Sequence, residues 1–333
     1  MKDTLAVRYH EHGKASEVLK LETIQMEEPR PSEVVIAMRA AVIHPSDFGM
    51  IAGSYGRLKE LPAVAGREGV GEIVQVGSAV SEDLLRKKVR MPEQAGVWKQ
   101  VALALTDELT FIPSEIDAQV AAQAFVNPPT AYRLLNDFVD LSFGNWIIQN
   151  AGNSAVGFCV AGYAKHLGIN CISVVRDVER WEQPLKDAGS TAVIAEGTDY
   201  FKSIKDITDG VPIKLALNSI GGDSVMSLIK AVDEGGTVVT FGGMVGDKVR
   251  FPTRELIFKD IALRGFWMDR WYRNHADHEA NSMMTEIYKL LKKDVMQLPV
   301  DQVFAFENAL EAIQRASEGN RQGKVLITSD WQP

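Results

Sequence analysis

The chain has 333 residues, enough for about two domains. Its 46% hydrophobic and 24% charged residues are the balance of an ordinary globular protein, and a net charge of −8 argues against non-specific binding to nucleic acid. No apolar run reaches the length of a membrane span.

Residues 1–7 enter a strand-like pattern directly, with no h-region and no Arg-rich leader. The expected location is therefore the cytoplasm, or the mitochondrial matrix if this is a trimmed eukaryotic form. Up to about residue 120, short β-type runs alternate with Gly and Pro. The runs at 34–42 and 69–77 are examples, and the glycines of the second suggest bulges or tight corners. This region is predicted to be a strongly bent β-domain. From about 128, strands expected at 146–149, 171–175, 192–194, 214–218, 236–241 and 261–266 are separated by helices at 154–167, 181–188, 223–231 and 253–258. Such alternation implies a parallel, doubly wound sheet. A helix follows at 279–292, and a strand–helix–strand from 303 to 327 is expected to rejoin the first domain. The domains are thus drawn as 1–124 with 296–333, and 125–295.

Both cysteines, Cys159 and Cys171, fall on apolar faces and lack Cys or His companions at metal-ligand spacing. A reducing compartment and no structural zinc are expected.

The most informative stretch runs from Ile147 to Gly157. It reads strand, glycine turn, helix, with Gly152-x-Ser154-x-x-Gly157 in place of the usual G-x-G-x-x-G. The outer glycines allow a tight turn and close helix–strand packing. Ser154 adds a hydroxyl that can donate to a phosphate oxygen, beside the exposed N–H groups of the helix start. The next strand ends Val175-Arg176-Asp177-Val178-Glu179-Arg180. An acidic residue there suits the ribose of NAD, and an arginine suits the 2′-phosphate of NADP. Arg176 therefore points to NADP, against the alternative of a solvated surface arginine beside Asp177. Further glycine clusters at 218–222, 241–244 and 264–267 lie at expected strand ends, where doubly wound sheets form their ligand crevice.

These features resemble the medium-chain dehydrogenase/reductase superfamily. Its zinc enzymes carry Gly-His-Glu in the first domain; here Gly66-Arg67-Glu68 stands there, and arginine cannot ligate zinc. Within the zinc-free branch, the chain is similar to mitochondrial-type trans-2-enoyl-CoA (2-enoyl thioester) reductases. The segments carrying this likeness include 44–47, 51–56, 61–66, 127–133, 149–154, 173–177 and 258–267. The resemblance implies a GroES-like barrel domain plus a Rossmann domain, the cofactor NADPH, and an enoyl-CoA or enoyl-acyl-carrier-protein substrate. It implies a catalytic tyrosine at Tyr55. A phenol is protonated at neutral pH, so it can give a proton or stabilise a developing enolate. Read from spacing alone, Tyr55 is a loop tyrosine packed on a cleft wall; the catalytic role comes from the resemblance.

The resemblance further implies cofactor contacts from Asn127; from Asn153, Ser154, Ala155 and Val156 in the turn; and from Arg176. It adds Phe241, Gly242, Gly243 and Met244 in one loop, Phe266, Trp267 and Met268 in another, and Lys324. Relatives read Arg-Asp-Arg after the second strand, so the second cation is lost here unless Arg180 supplies it. The 264–273 segment sets three arginines and several aromatics against one aspartate. It is either a patch for acidic partners or a dimer-edge strand with a solvated rim. His44 and Asp47 are read as part of a positioning loop. A homodimer is implied, pairing edge strands near 261–266, with no nucleic-acid or membrane partner. Two other functions stay open: a zinc-independent quinone or alkenal reductase, and a dinucleotide-binding protein without catalysis.

Overall fold

The computed structural model describes residues 3–197, 201–245 and 248–332. The chain forms two compact units, one from residues 1–125 and 299–333, the other from 126–298.

The first unit begins with β1 (Asp3–Tyr9), β2 (Lys20–Gln25), β3 (Glu33–Val42), β4 (Ala63–Val64), β5 (Glu68–Val76), β6 (Lys88–Arg90) and β7 (Val101–Leu105). β1 pairs antiparallel with β2 and β4. β3 is the hub of the larger sheet, pairing with β7 in continuous register and with β5 through two register shifts that bend it. One shift, between Met38 and Ala40, falls beside Gly71, as the glycine-punctuated run suggested; the other, between Val35 and Ile36, lies opposite Ile73 and Gln75, away from the glycines. Ile36, Met38, Ile73 and Trp98 are buried inside.

The second unit carries β8 (Trp146–Gln149), β9 (Asn170–Val175), β10 (Ala192–Ala195), β11 (Ile213–Asn218), β12 (Thr237–Thr240) and β13 (Ala262–Gly265). They form one six-stranded sheet in the order β10-β9-β8-β11-β12-β13, with every pairing parallel. Both faces are covered. In β8, Ile147 enters one core with Leu215, Cys171 and Val160, while its neighbour Ile148 enters the opposite core with Ile172, Ala216 and Leu228. Period-two alternation into two apolar layers explains why these strands are apolar throughout. The order reverses beside β8, which places the Gly152 turn at the topological switch point.

The chain returns to the first unit as β14 (Val300–Ala305), helix Ala309–Ser317 and β15 (Lys324–Thr328), and β15 pairs with β3.

Two elements differ from expectation, and one helix adds to it. The segment at His44 is not a loop: Pro45–Ile51 is a helix, with Pro45 at its first position and Asp47 Oδ2 accepting the His44 N–H at 2.7 Å. The added helix is Asn127–Asn136, which Asn127-Pro128-Pro129 opens. The basic aromatic stretch is split, because β13 stops at Gly265 and helix Met268–Asn274 follows. Trp271 is buried there, with the Arg133 guanidinium 4.1 Å above its ring. It is a core residue and offers no surface to a substrate.

Candidate active site

In the first unit, Tyr55 lies just beyond helix Pro45–Ile51 and is half-buried. Its hydroxyl accepts an N–H from Arg67 Nη1 at 2.9 Å, and the guanidinium also lies 4.8 Å from its ring centroid. Arg67 can stand there because Gly66 turns with φ +85°, and a Cβ at Gly66 would come within 2.3 Å of the Trp98 ring. Only glycine fits that conformation and that contact. The fork of Arg67 is held from its other side: Nε and Nη2 donate to Glu93 Oε1 at 2.9 and 2.7 Å. Arg90 Nη2 donates to Glu93 Oε2 at 2.8 Å. Burial works against the Arg67 charge, but Glu93 and Tyr55 outweigh it and hold the guanidinium above its ordinary range. Glu93 is itself half-buried; burial works against its charge, but Arg90 and Arg67 outweigh it and hold the carboxyl below the usual carboxylate range. Lys59 closes the loop by donating to the carbonyls of Val64 and Gly66 at 3.1 and 3.0 Å, and burial pulls its pKa down to about 8.

A second buried cluster lies in the same unit. His44 Nε2 is 2.5 Å from Glu68 Oε2, and Glu68 Oε1 accepts the Phe125 N–H at 2.6 Å. Lys324 Nζ stands 3.2 Å from His44 Nδ1. An ammonium only donates, so Nδ1 accepts and the ring proton sits on Nε2, facing the carboxylate. Burial first, then Lys324, pulls the His44 pKa down to about 3, so the ring is neutral. Burial likewise lowers Lys324 to about 8. The structure thus gives Lys324 a histidine neighbour that the sequence reading did not anticipate.

In the second unit, the Gly152 turn is built by close approach. A Cβ on Gly152 would lie 2.6 Å from the Ser173 side chain, and one on Gly157 would lie 2.2 Å from the Gly152 carbonyl oxygen. Ala151, before the turn, has φ +47°. Ser154 caps the twelve-residue helix Ala155–His166, its Oγ accepting the Gly157 N–H at 3.1 Å. That bond uses a lone pair and leaves the hydroxyl proton available to an anion. Asn153 and Val156 are half-buried on either side, and Ala155 is buried.

Arg176 follows β9 directly and is exposed, with no hydrogen bond or ion pair among the described residues. Asp177, the acidic residue beside it, is occupied as a helix cap. Its Oδ1 accepts the Arg180 N–H at 3.1 Å. The Arg180 guanidinium lies 5.2 Å from the Trp181 ring centroid.

The remaining loops sit at strand ends. Phe241, Gly242, Gly243 and Met244 follow β12, with Gly242 packed so that a Cβ would meet the Ser219 carbonyl at 2.8 Å. Phe266 packs edge-on to Phe138 at 5.9 Å, Trp267 lies under the Arg273 cation at 5.2 Å, and Met268 is buried at a helix start. Asn127 is buried, and its Nδ2 has no hydrogen-bond partner among the described residues. An orphaned amide donor of this kind is satisfied when a polar ligand group arrives. The glycine cradle, the capped helix start, the strand-end arginine and this orphaned donor together suit a phosphorylated dinucleotide.

Sequence reading missed the network that carries this crevice. Asn150 Nδ2 donates to Asn218 Oδ1 at 2.7 Å and to Ser224 Oγ at 3.0 Å, while its Oδ1 accepts the Ser219 N–H at 2.8 Å. Asn218 Nδ2 reaches Thr240 Oγ1 at 3.1 Å, so the carboxyl ends of β8, β11 and β12 are tied by side-chain amides. Asn150 sits just before the turn and Asn218 opens a glycine cluster, so a signal was present in the sequence. Glu93 gave none.

The model of the alcohol dehydrogenase GroES-like domain matches residues 30–94, and that of the zinc-binding dehydrogenase matches 155–287. Among the described residues, no group of three or more His, Cys, Asp or Glu is arranged to hold a metal ion. Mitochondrial enoyl-(acyl-carrier-protein) reductase of Rattus norvegicus is 38% identical over 329 residues, spanning 97% of this chain and 88% of its own. The solved Etr1p complex with NADP and crotonyl-CoA superposes with TM-score 0.90 at 27% identity, covering 98% of this chain and all of that one. The mitochondrial 2-enoyl thioester reductase Etr1p/Etr2p heterodimer from Candida tropicalis gives TM-score 0.90 at 28% identity, over 98% of this chain and all of that one. With such identity across nearly its whole length, and with both domain models matched in order, the chain belongs to the enoyl thioester reductase family of the medium-chain dehydrogenase/reductases.

Proposed function

We propose that this protein reduces the C=C bond of trans-2-enoyl thioesters, carried on CoA or on acyl carrier protein, at the expense of NADPH. The observation that carries the reading is Tyr55, a half-buried phenol held against a fixed charged cluster in the unit that lacks the dinucleotide turn. Bound NADPH supplies the hydride that the β-carbon receives. Negative charge then builds on the thioester oxygen, and the α-carbon needs a proton. Tyr55 donates that proton or hydrogen-bonds the enolate.

The second unit holds the cofactor in this reading. Asn153, Ser154, Ala155 and Val156 take the pyrophosphate, Arg176 the 2′-phosphate, and Asn127 the nicotinamide side. The 241–244 and 266–268 loops cover it, and Lys324 is a further cofactor contact. With Val178 in place of a second arginine and Arg180 stacked on Trp181, Arg176 carries the NADP preference.

A homodimer forms across the exposed edge of β13. Every residue of that strand is exposed, and Ile257 and Phe258 nearby are 67% and 72% exposed. Together with Leu263, 43% exposed, these side chains form an apolar patch beside a strand edge unpaired among the described residues, and such a patch suits a second copy of the chain. Analytical ultracentrifugation of the parent and of Leu263→Lys tests this: a dimer that the lysine dissociates is expected, and a parent monomer counts against it. The compartment is reducing, as two buried free thiols suggest, and the mitochondrial relatives favour the matrix over the cytoplasm.

Acceptor choice tests the function. NADPH oxidation is followed with crotonyl-CoA and with a quinone, for the parent and for Tyr55→Phe. Turnover of the thioester, lowered in the variant by about 100-fold or more, is expected. Turnover of the quinone alone would make the protein a quinone reductase, and cofactor binding without any turnover would make it non-catalytic.

A further inference from the structure

Arginine is donor-only and stays charged at every physiological pH. The 2.9 Å contact from Arg67 Nη1 to the Tyr55 oxygen therefore has one polarity: the guanidinium donates and the phenol accepts. It follows that the Tyr55 hydroxyl proton is turned away from Arg67. Loss of that proton would leave a phenolate facing a buried cation at the same contact. Arg67 has little freedom to leave, being 8% exposed and clamped by Glu93 through two nitrogens at 2.9 and 2.7 Å. Glu93 in turn is fixed by Arg90.

We propose that Arg67 is a positioning residue for the reaction: it orients the Tyr55 proton toward the substrate and stabilises the phenolate left when that proton moves to the α-carbon. The step balances simply. The O–H bond of Tyr55 breaks, a C–H bond forms at the α-carbon, and the electron pair stays on the phenolic oxygen beside Arg67 until water reprotonates it. The position that in zinc relatives supplies a histidine ligand thus supplies a cation to the proton donor in this chain. The proposal rests on Tyr55 being the donor.

A double-mutant cycle on the full chain separates the two ideas. Tyr55→Phe, Arg67→Ala and the double variant are compared with the parent in NADPH oxidation with crotonyl-CoA. Arg67→Ala is expected to lower kcat by about 10- to 100-fold, the scale of one lost charge-stabilising donor. KM for NADPH should move by less than about threefold, since uniform binding is untouched. In the Tyr55→Phe background the same change should cost less than about twofold, because groups that act as a unit are not additive. Guanidinium ion added to Arg67→Ala should recover part of the lost kcat, and none of it in the double variant. An unchanged kcat in Arg67→Ala, or an equal fall in both backgrounds, overturns the proposal. Full activity of Tyr55→Phe instead removes the donor assignment itself. If circular dichroism shows Arg67→Ala unfolded, Arg67→Lys carries the same cycle: a fall confined to the Tyr55 background supports the proposal, and an equal fall in both backgrounds defeats it.

Discussion

The two units build their polar sites from opposite materials. The Gly152 turn is made of backbone and small side chains, shaped by Cβ atoms that are absent at Gly152 and Gly157. The Tyr55 cluster is made of long charged side chains, and Arg67, Glu93 and Arg90 come together from residues 67 to 93 of the chain. A backbone cradle is rigid and tolerates no added atom. A cluster of ion pairs is rigid only while every partner is in place. Damage to the first should appear in cofactor binding, and damage to the second in kcat.

The largest effect sharpens that division. Tyr55→Phe should reduce kcat by about 100-fold or more while the NADPH dissociation constant, read by fluorescence titration, stays within about twofold. Gly157→Ala should do the reverse. Its Cβ would fall 2.2 Å from the Gly152 oxygen, and relief of such a clash costs about 1–3 kcal/mol. NADPH affinity and the thermal midpoint should both drop. Unchanged affinity would mean that the turn does not hold the nucleotide. Arg176→Ala comes next. Losing one charged hydrogen bond to a phosphate should weaken NADPH by about tenfold and leave NADH unaffected. Equal losses for both cofactors would place Arg176 elsewhere.

The contrast also explains what the sequence made legible. The turn could be read because its determinants are local: two glycines, a capping serine and the preceding apolar strand stand within twelve residues, Trp146 to Gly157. The doubly wound order followed from the same strand–helix alternation. Asp177 looked like a competing ribose ligand, because nothing local distinguishes that role from capping the next helix. Trp271 looked like surface because its burial depends on Arg133 and the packing of another helix. Arg67 was visible only as a missing zinc ligand. What it does instead needed Tyr55 and Glu93, one twelve residues before it and one 26 residues after it. The role of His44 is not legible locally, since Glu68 and Lys324, its partners, are joined to it only by the fold.

That histidine supplies the remaining effect, one on stability and not on catalysis or cofactor binding. The fold holds His44 neutral with a pKa of about 3, against an ordinary value of 6.5. Its folded pKa is depressed, so the unfolded chain binds the extra proton. The His44 contribution is complete above the ordinary value and is lost as pH falls toward the folded one. Urea midpoints at neutral pH and near pH 5 should show the parent losing up to about 2 kcal/mol more than His44→Asn. Equal acid sensitivity would mean that the ring is not held neutral.

The most direct test follows the two hydrogens added to the double bond. Crotonyl-CoA is reduced with deuterated NADPH in water, and separately with ordinary NADPH in heavy water, and the butyryl-CoA is examined by NMR. Cofactor deuterium at the β-carbon and solvent deuterium at the α-carbon are expected. The reverse placement, or cofactor oxidation with no butyryl-CoA formed, would contradict hydride delivery to an enoyl thioester with protonation from the Tyr55 side.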